Sequence, residues 1–215
     1  MALSVLLIGK SGSGKSSSMR NFKPDEISLV NVLGKPLPFR GKFAQLKTDD
    51  YTKVYGALNN ATNDIIVIDD AGYLITNQFM RGHSSAGAGN GVFALYNQIG
   101  DNFWQLVELA KRLPPQKRVY FIMHEDKNDY GDVRPKTIGK LLDEKIDIAG
   151  LFTIVLRCAV KDRKHIFETQ SDGYTVAKTP IGLFETEEID NDLAYVDSRI
   201  CEYYGIEKGK ADKTA

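Results

Sequence analysis

Gly9-Lys10-Ser11-Gly12-Ser13-Gly14-Lys15-Ser16 fits the pattern G-x-x-x-x-G-K-S/T, the spacing by which a glycine-rich turn aims backbone N–H groups at a phosphate. Lys15 would neutralise the β- and γ-phosphates of a nucleotide, and Ser16 would offer its hydroxyl to Mg²⁺. The set expected to hold ATP runs through Gly9, Lys10, Ser11, Gly12, Ser13, Gly14, Lys15, Ser16 and Ser17. A second segment, Ile65-Ile66-Val67-Ile68-Asp69-Asp70, is an apolar strand that ends in two acids. Asp69 at its edge would share Mg²⁺ with Ser16, and Asp70 is the candidate general base for an attacking water. Adjacent residues on a strand point to opposite faces, so one of the two acids can instead be a turn former. A third strand ends at His124-Glu125; a histidine there can donate a hydrogen bond to the γ-phosphate or sit bonded to backbone. Lys15, Asp70 and His124 are therefore the expected catalytic group, with Glu125, Asp49 and Asp50 as rival carboxylates.

Two basic stretches stand outside this set. Arg134, Lys136 and Lys140 fall in one stretch without an acid, a candidate DNA-binding strip. Arg163 and Lys164, with Lys178 further on, are candidates to reach the nucleotide of a neighbouring subunit. Charge runs of this kind are also common on solvated faces.

The elements that must position these residues alternate. Leu3–Ile8, Ile27–Val32, Ile65–Ile68, Val119–Met123 and Phe152–Cys158 read as buried strands, with helical patterns between them. That rhythm predicts an α/β fold: a mostly parallel sheet with helices on both faces. A helix follows the phosphate loop; another, capped by Asp101, carries Phe103, Leu106, Val107, Ala110 and Leu113 and stops at Pro114-Pro115. Arg81–Gly91, rich in glycine, reads as a mobile loop. His165–Thr169 and Tyr174–Ala177 around Asp172-Gly173 read as a C-terminal antiparallel hairpin. A last helix buries Leu193, Val196 and Ile200. One domain is expected over residues 1–205, with a flexible, solvated tail over 206–215.

Composition narrows the function classes. The 215 residues carry 28 Lys+Arg against 28 Asp+Glu, so the molecule has no global attraction for polyanions, and any nucleic-acid contact must come from a local strip. Cys158 and Cys201 are far apart, and His83, His124 and His165 lack metal-ligand spacing, which argues against a disulfide framework or a structural zinc. No stretch approaches the length of a membrane span. A reducing, cytoplasmic location without membrane contact is expected.

On these residues the chain resembles the small phage-encoded RecA-like ATPases associated with single-strand annealing and recombination. The resemblance rests on Gly9–Ser16, Ile65–Asp70, the strand ending in His124, the segment Lys136-Thr137-Ile138-Gly139-Lys140-Leu141-Leu142, and the stretch from Ala177-Lys178-Thr179-Pro180 to Asn191-Asp192-Leu193. It implies a RecA-like P-loop core that uses ATP with Mg²⁺ and whose hydrolysis is DNA-stimulated. It also implies assembly into a ring or filament, and single-stranded DNA on loops near 81–91 and 129–140, in the host cytoplasm. A single-strand DNA-binding protein is a further possible partner. The chain departs from recombinases of that class in opening directly on the first strand and in offering Asp70 or another acid where they use glutamate. Alternatives are a nucleotide-gated DNA-binding or loading module with negligible turnover, and a small P-loop kinase. Lys10 matches the second lysine of partitioning ATPases, but their Thr-Pro-rich turn is absent after Asp69.

Overall fold

Strands covered by helices on both faces must be apolar throughout, and the central strands here meet that demand. The computed structural model describes residues 1–87, 89–138 and 146–207. Its strands are β1 (Leu3–Gly9), β2 (Ile27–Asn31), β3 (Gln45–Lys47), β4 (Ile65–Asp69), β5 (Arg118–Lys127), β6 (Val133–Pro135), β7 (Ile154–Lys161), β8 (Lys164–Glu168) and β9 (Glu188–Asp190). Its α-helices are α1 (Tyr51–Asn59), α2 (Gly72–Gly82), α3 (Asn90–Arg112) and α4 (Leu193–Tyr204). The sheet runs β3-β2-β4-β5-β1-β7-β8-β9, with β6 paired to β5. From β3 to β7 all pairs are parallel; β7-β8, β8-β9 and β5-β6 are antiparallel. The expected mostly parallel α/β architecture is present.

Alternation along the strands divides the core into two layers. Leu6, Ile8, Ile66, Ile68 and Phe121 pack with α1, α2 and α3. Val5, Leu7, Val67, Tyr120 and Ile122 pack on the other face with Met19 and α4. Asp192 caps α4 by accepting from the Ala194 and Tyr195 amides, and Gly205 ends it at φ 62°, a conformation that costs glycine nothing. The sheet also grips α4 through a buried ion pair: Arg118 donates twice to Asp197 at 2.9 Å, and the Tyr120 hydroxyl adds a bond of 2.8 Å. Among the described residues no helix is long and apolar enough to cross a membrane.

Three local expectations are corrected. The helix after the phosphate loop is only a 3₁₀ turn over Ser16–Asn21, too short to add a helix dipole of any size. The long helix α3 starts at Asn90, well before Asp101, because Leu95 packs against Gly82 and Tyr96 stacks on Phe79 of α2. Of the segment expected to be a loop, Arg81 and Gly82 belong to α2, and Asn90 and Gly91 to α3. The C-terminal hairpin exists, but its strands are β7 and β8, turned at Asp162-Arg163 with φ 50° and 64°. Asp172 does cap a turn, accepting from the Tyr174 and Thr175 amides. Thr175 and Lys178 then bridge to Val133 and Val155 rather than pairing with β8, whose second edge is taken by β9.

Candidate functional site

The phosphate loop leaves β1 at Gly9, where a side chain has no room: a Cβ would come within 2.5 Å of Ser13 Oγ and 2.7 Å of the Cys158 carbonyl. Gly12 and Gly14 turn through φ 79° and 98°, conformations that L side chains rarely adopt. A Cβ on Gly14 would also press on His165 Nδ1 at 2.9 Å. The loop closes on its own lysine, whose Nζ donates to the carbonyls of Gly9 at 3.0 Å and Lys10 at 2.8 Å. The sequence suggests a solvent-facing cation, but Lys15 is only 6% exposed. Burial lowers its pKa, opposed by the nearby charges of Asp70 and Asp69 among others.

Strand order does the rest of the assembly. Strand β5 lies between β1 and β4, with His124 level with Gly9 and Phe121 level with Ile68. His124 is thus placed between the phosphate loop and the acids. Asp69, 4% exposed, accepts a hydrogen bond of 2.8 Å from Ser16 Oγ. Burial pushes its carboxyl up to about 6, with Asp70 adding to the rise and the Ser16 bond and Lys15 opposing it. Asp70 turns into the left-handed region at φ 60°. That turn breaks the strand's alternation, so both carboxylates face one cleft. Asp70 Oδ1 lies 3.7 Å from His124 Nε2 and Oδ2 lies 3.6 Å from Lys35 Nζ. Burial, then the charge of Lys15, lowers the His124 pKa, so near neutral pH the ring is uncharged with one N–H to donate. The ring also meets the Tyr73 ring edge-on at 5.8 Å.

These groups line a cleft of about 320 Å³, together with Ser11, Gly12, Gly14, Ser17, Pro36, Pro38 and His165. Gly9 and Ser13 are buried behind it, and Lys10 contributes its carbonyl to Lys15 while its side chain is exposed. The Ser16 hydroxyl and the buried Asp69 carboxylate are hard oxygen donors side by side, the donor type that Mg²⁺ takes. The rival carboxylates are engaged elsewhere. Glu125 is held by two bonds from Arg157 at 2.8 and 3.0 Å. Asp49 accepts from Asn77 and Arg81, and Asp50 caps α1 by accepting from the Thr52 amide.

Lys35 and His165 are cleft residues that sequence reasoning missed. Each comes from a segment remote from the motifs, and only the strand order reveals their proximity. His165 Nδ1 donates to the Ser13 carbonyl at 3.0 Å. Of the basic candidates, Arg134 lies on β6 and Lys136 follows it, its amide donating to the His124 carbonyl at 2.7 Å. Lys140 lies outside the described residues. Arg163 and Lys164 are exposed at the β7-β8 turn, while the Lys178 backbone bridges Val155, three residues short of the strand position beside Gly9.

The model of the AAA domain family matches residues 1–181 of the chain. No curated protein matches it.

Proposed function

The chain belongs to the AAA domain family of P-loop ATPases, and on that footing we propose that the cleft binds ATP with Mg²⁺ and hydrolyses it. The proposed setting is a RecA-like protein of phage DNA metabolism, in the host cytoplasm, that assembles on single-stranded DNA and promotes annealing and recombination. Lys15 and the loop amides bind the phosphates, and Ser16 with Asp69 hold the metal, which neutralises phosphate charge when bound. Asp70 accepts the proton of the attacking water as its oxygen bonds to the γ-phosphorus and the bond to the bridging oxygen breaks, releasing ADP. His124 donates a hydrogen bond to the γ-phosphate, which is where charge gathers in the transition state.

The observation that carries this reading is β5 itself. Its His124 side chain faces Asp70, while its His124 carbonyl receives the Lys136 amide. A change at the γ-phosphate is thereby one residue away from the segment Arg134–Lys136 that is proposed to touch DNA. In an assembly, the exposed Arg163 and Lys164 would reach a neighbour's nucleotide as a subunit-supplied cation.

The test is phosphate release from ATP with and without single-stranded DNA. Release that DNA stimulates supports the proposal. ATP binding without turnover would make the protein a nucleotide-gated loading module, and phosphorylation of an acceptor would make it a kinase.

A further inference from the structure

Lys35 has an anchored backbone and a largely exposed side chain. Asn31, 2% exposed at the end of β2 and level with Asp69, donates from Nδ2 to the Lys35 carbonyl and to Gln45 Oε1, each at 2.7 Å. The Gly34 amide closes a turn on the Asn31 carbonyl at 3.2 Å, with Gly34 at φ 65°. The buried end of a sheet strand thus fixes the backbone of an exposed cation. The side chain reaches inward, its Nζ 3.6 Å from Asp70 Oδ2 and 5.4 Å from the centre of the Tyr73 ring. Pro36 and Pro38, which follow it, form part of the cleft wall and stiffen the segment, since proline fixes φ.

The charges in the cleft explain the need for such a cation. Asp69 and Asp70 face Lys15 and Lys35, and His124 adds no charge near neutral pH. A terminal phosphate entering beside Asp70 would bring anion against anion, so a cation paired with Asp70 would act in addition to Lys15 on the phosphate loop. Among the described residues Lys35 is the lysine paired with Asp70, through Oδ2, while His124 faces Oδ1.

We propose that Lys35 is a cis-acting γ-phosphate sensor: it holds Asp70 when the cleft has no nucleotide and turns to the terminal phosphate when ATP enters, so the site prefers ATP to ADP. This rests on the cleft being the ATP site proposed above. An ion pair to a mobile lysine is readily exchanged, because its three N–H donors can serve a carboxylate and a phosphate in turn. The Asn31 contact is to backbone, so substitution at Lys35 leaves the loop anchored.

The test uses the full chain and calorimetric titration with Mg²⁺-ADP and with Mg²⁺-loaded β,γ-imido ATP, on wild type, Lys35→Ala and Lys35→Arg. Loss of one charged phosphate contact is expected to weaken the ATP analogue roughly tenfold to a hundredfold in Lys35→Ala. ADP affinity should stay within about twofold, because ADP lacks the group contacted. Lys35→Arg should restore most of the preference, since the charge and donors remain. Equal weakening for both nucleotides, or no change for either, overturns the inference while leaving the ATP site intact. Reduced turnover with an unchanged preference for the ATP analogue overturns it too, for Lys35 would then only hold Asp70. A wild type that binds neither nucleotide refutes the reading of the cleft itself.

Discussion

Asp69→Asn should stabilise the nucleotide-free protein while destroying the proposed Mg²⁺ site. The carboxyl is buried, and its folded pKa of about 6 lies above the ordinary 3.8. A group whose acid form is favoured on folding destabilises the native state wherever it must be ionised. The cost is fully present above the folded pKa and vanishes below the unfolded one. Raising the carboxyl from 3.8 to about 6 costs about 3 kcal/mol at pH 7.5. Integrating the same linkage to pH 5 leaves about half of that cost, because much of the folded population is then protonated. Asparagine keeps an oxygen to accept from Ser16 and removes the charge. Urea denaturation in EDTA, without nucleotide, should therefore show Asn ahead by about 3 kcal/mol at pH 7.5 and by about half as much at pH 5. For a chain of this size the gain at pH 7.5 corresponds to roughly 6–12 °C in Tm. Added Mg²⁺-ATP should raise the Tm of wild type and not that of the variant. An Asn variant no more stable than wild type at pH 7.5, or an advantage unchanged by pH, would refute the reasoning.

Asp70→Asn should keep ATP binding and slow phosphate release by about 10²–10⁴-fold, as loss of a general base does; normal turnover in a steady-state assay would remove Asp70 from that role. Arg163→Gly relieves a left-handed residue at φ 64° and should gain roughly 1 kcal/mol in denaturant unfolding. If Arg163 serves a neighbour's nucleotide, turnover per subunit should rise with protein concentration in the wild type, and the same variant should lose that rise. Lys136→Ala should weaken single-strand binding alike for all sequences and flatten log K against log[salt] by about 0.7 per bound protomer; fluorescence titration at several salt concentrations checks the slope.

Local spacing alone determined what depends on neighbours in the chain. The loop Gly9–Ser16, the apolar runs of β1, β2, β4, β5 and β7, and the helical face of Leu193, Val196 and Ile200 are short-range patterns, and backbone sterics and burial translate them directly into elements. Their ends were less secure: the glycines and small residues between Arg81 and Gly91 hide the start of α3, which exists because Leu95 and Tyr96 pack on α2. The Asp-Gly at 172–173 is a turn, but its flanks found other partners, since a hairpin also needs free edges to pair.

Strand order belongs to tertiary structure, because β1 and β4 are separated by more than fifty residues and nothing local says that β5 fills the gap between them. That order brings His124 level with Gly9. The same is true of choosing among carboxylates. Glu125, Asp49 and Asp50 are as acidic in sequence as Asp70, but Arg157, Arg81 and a helix amide claim them, whereas Asp70 turns at φ 60° into the cleft. Lys35 and His165 enter the site across the sheet from distant segments. Charge and hydrogen-bond partners are set by distance in space, and only the packed sheet fixes those distances.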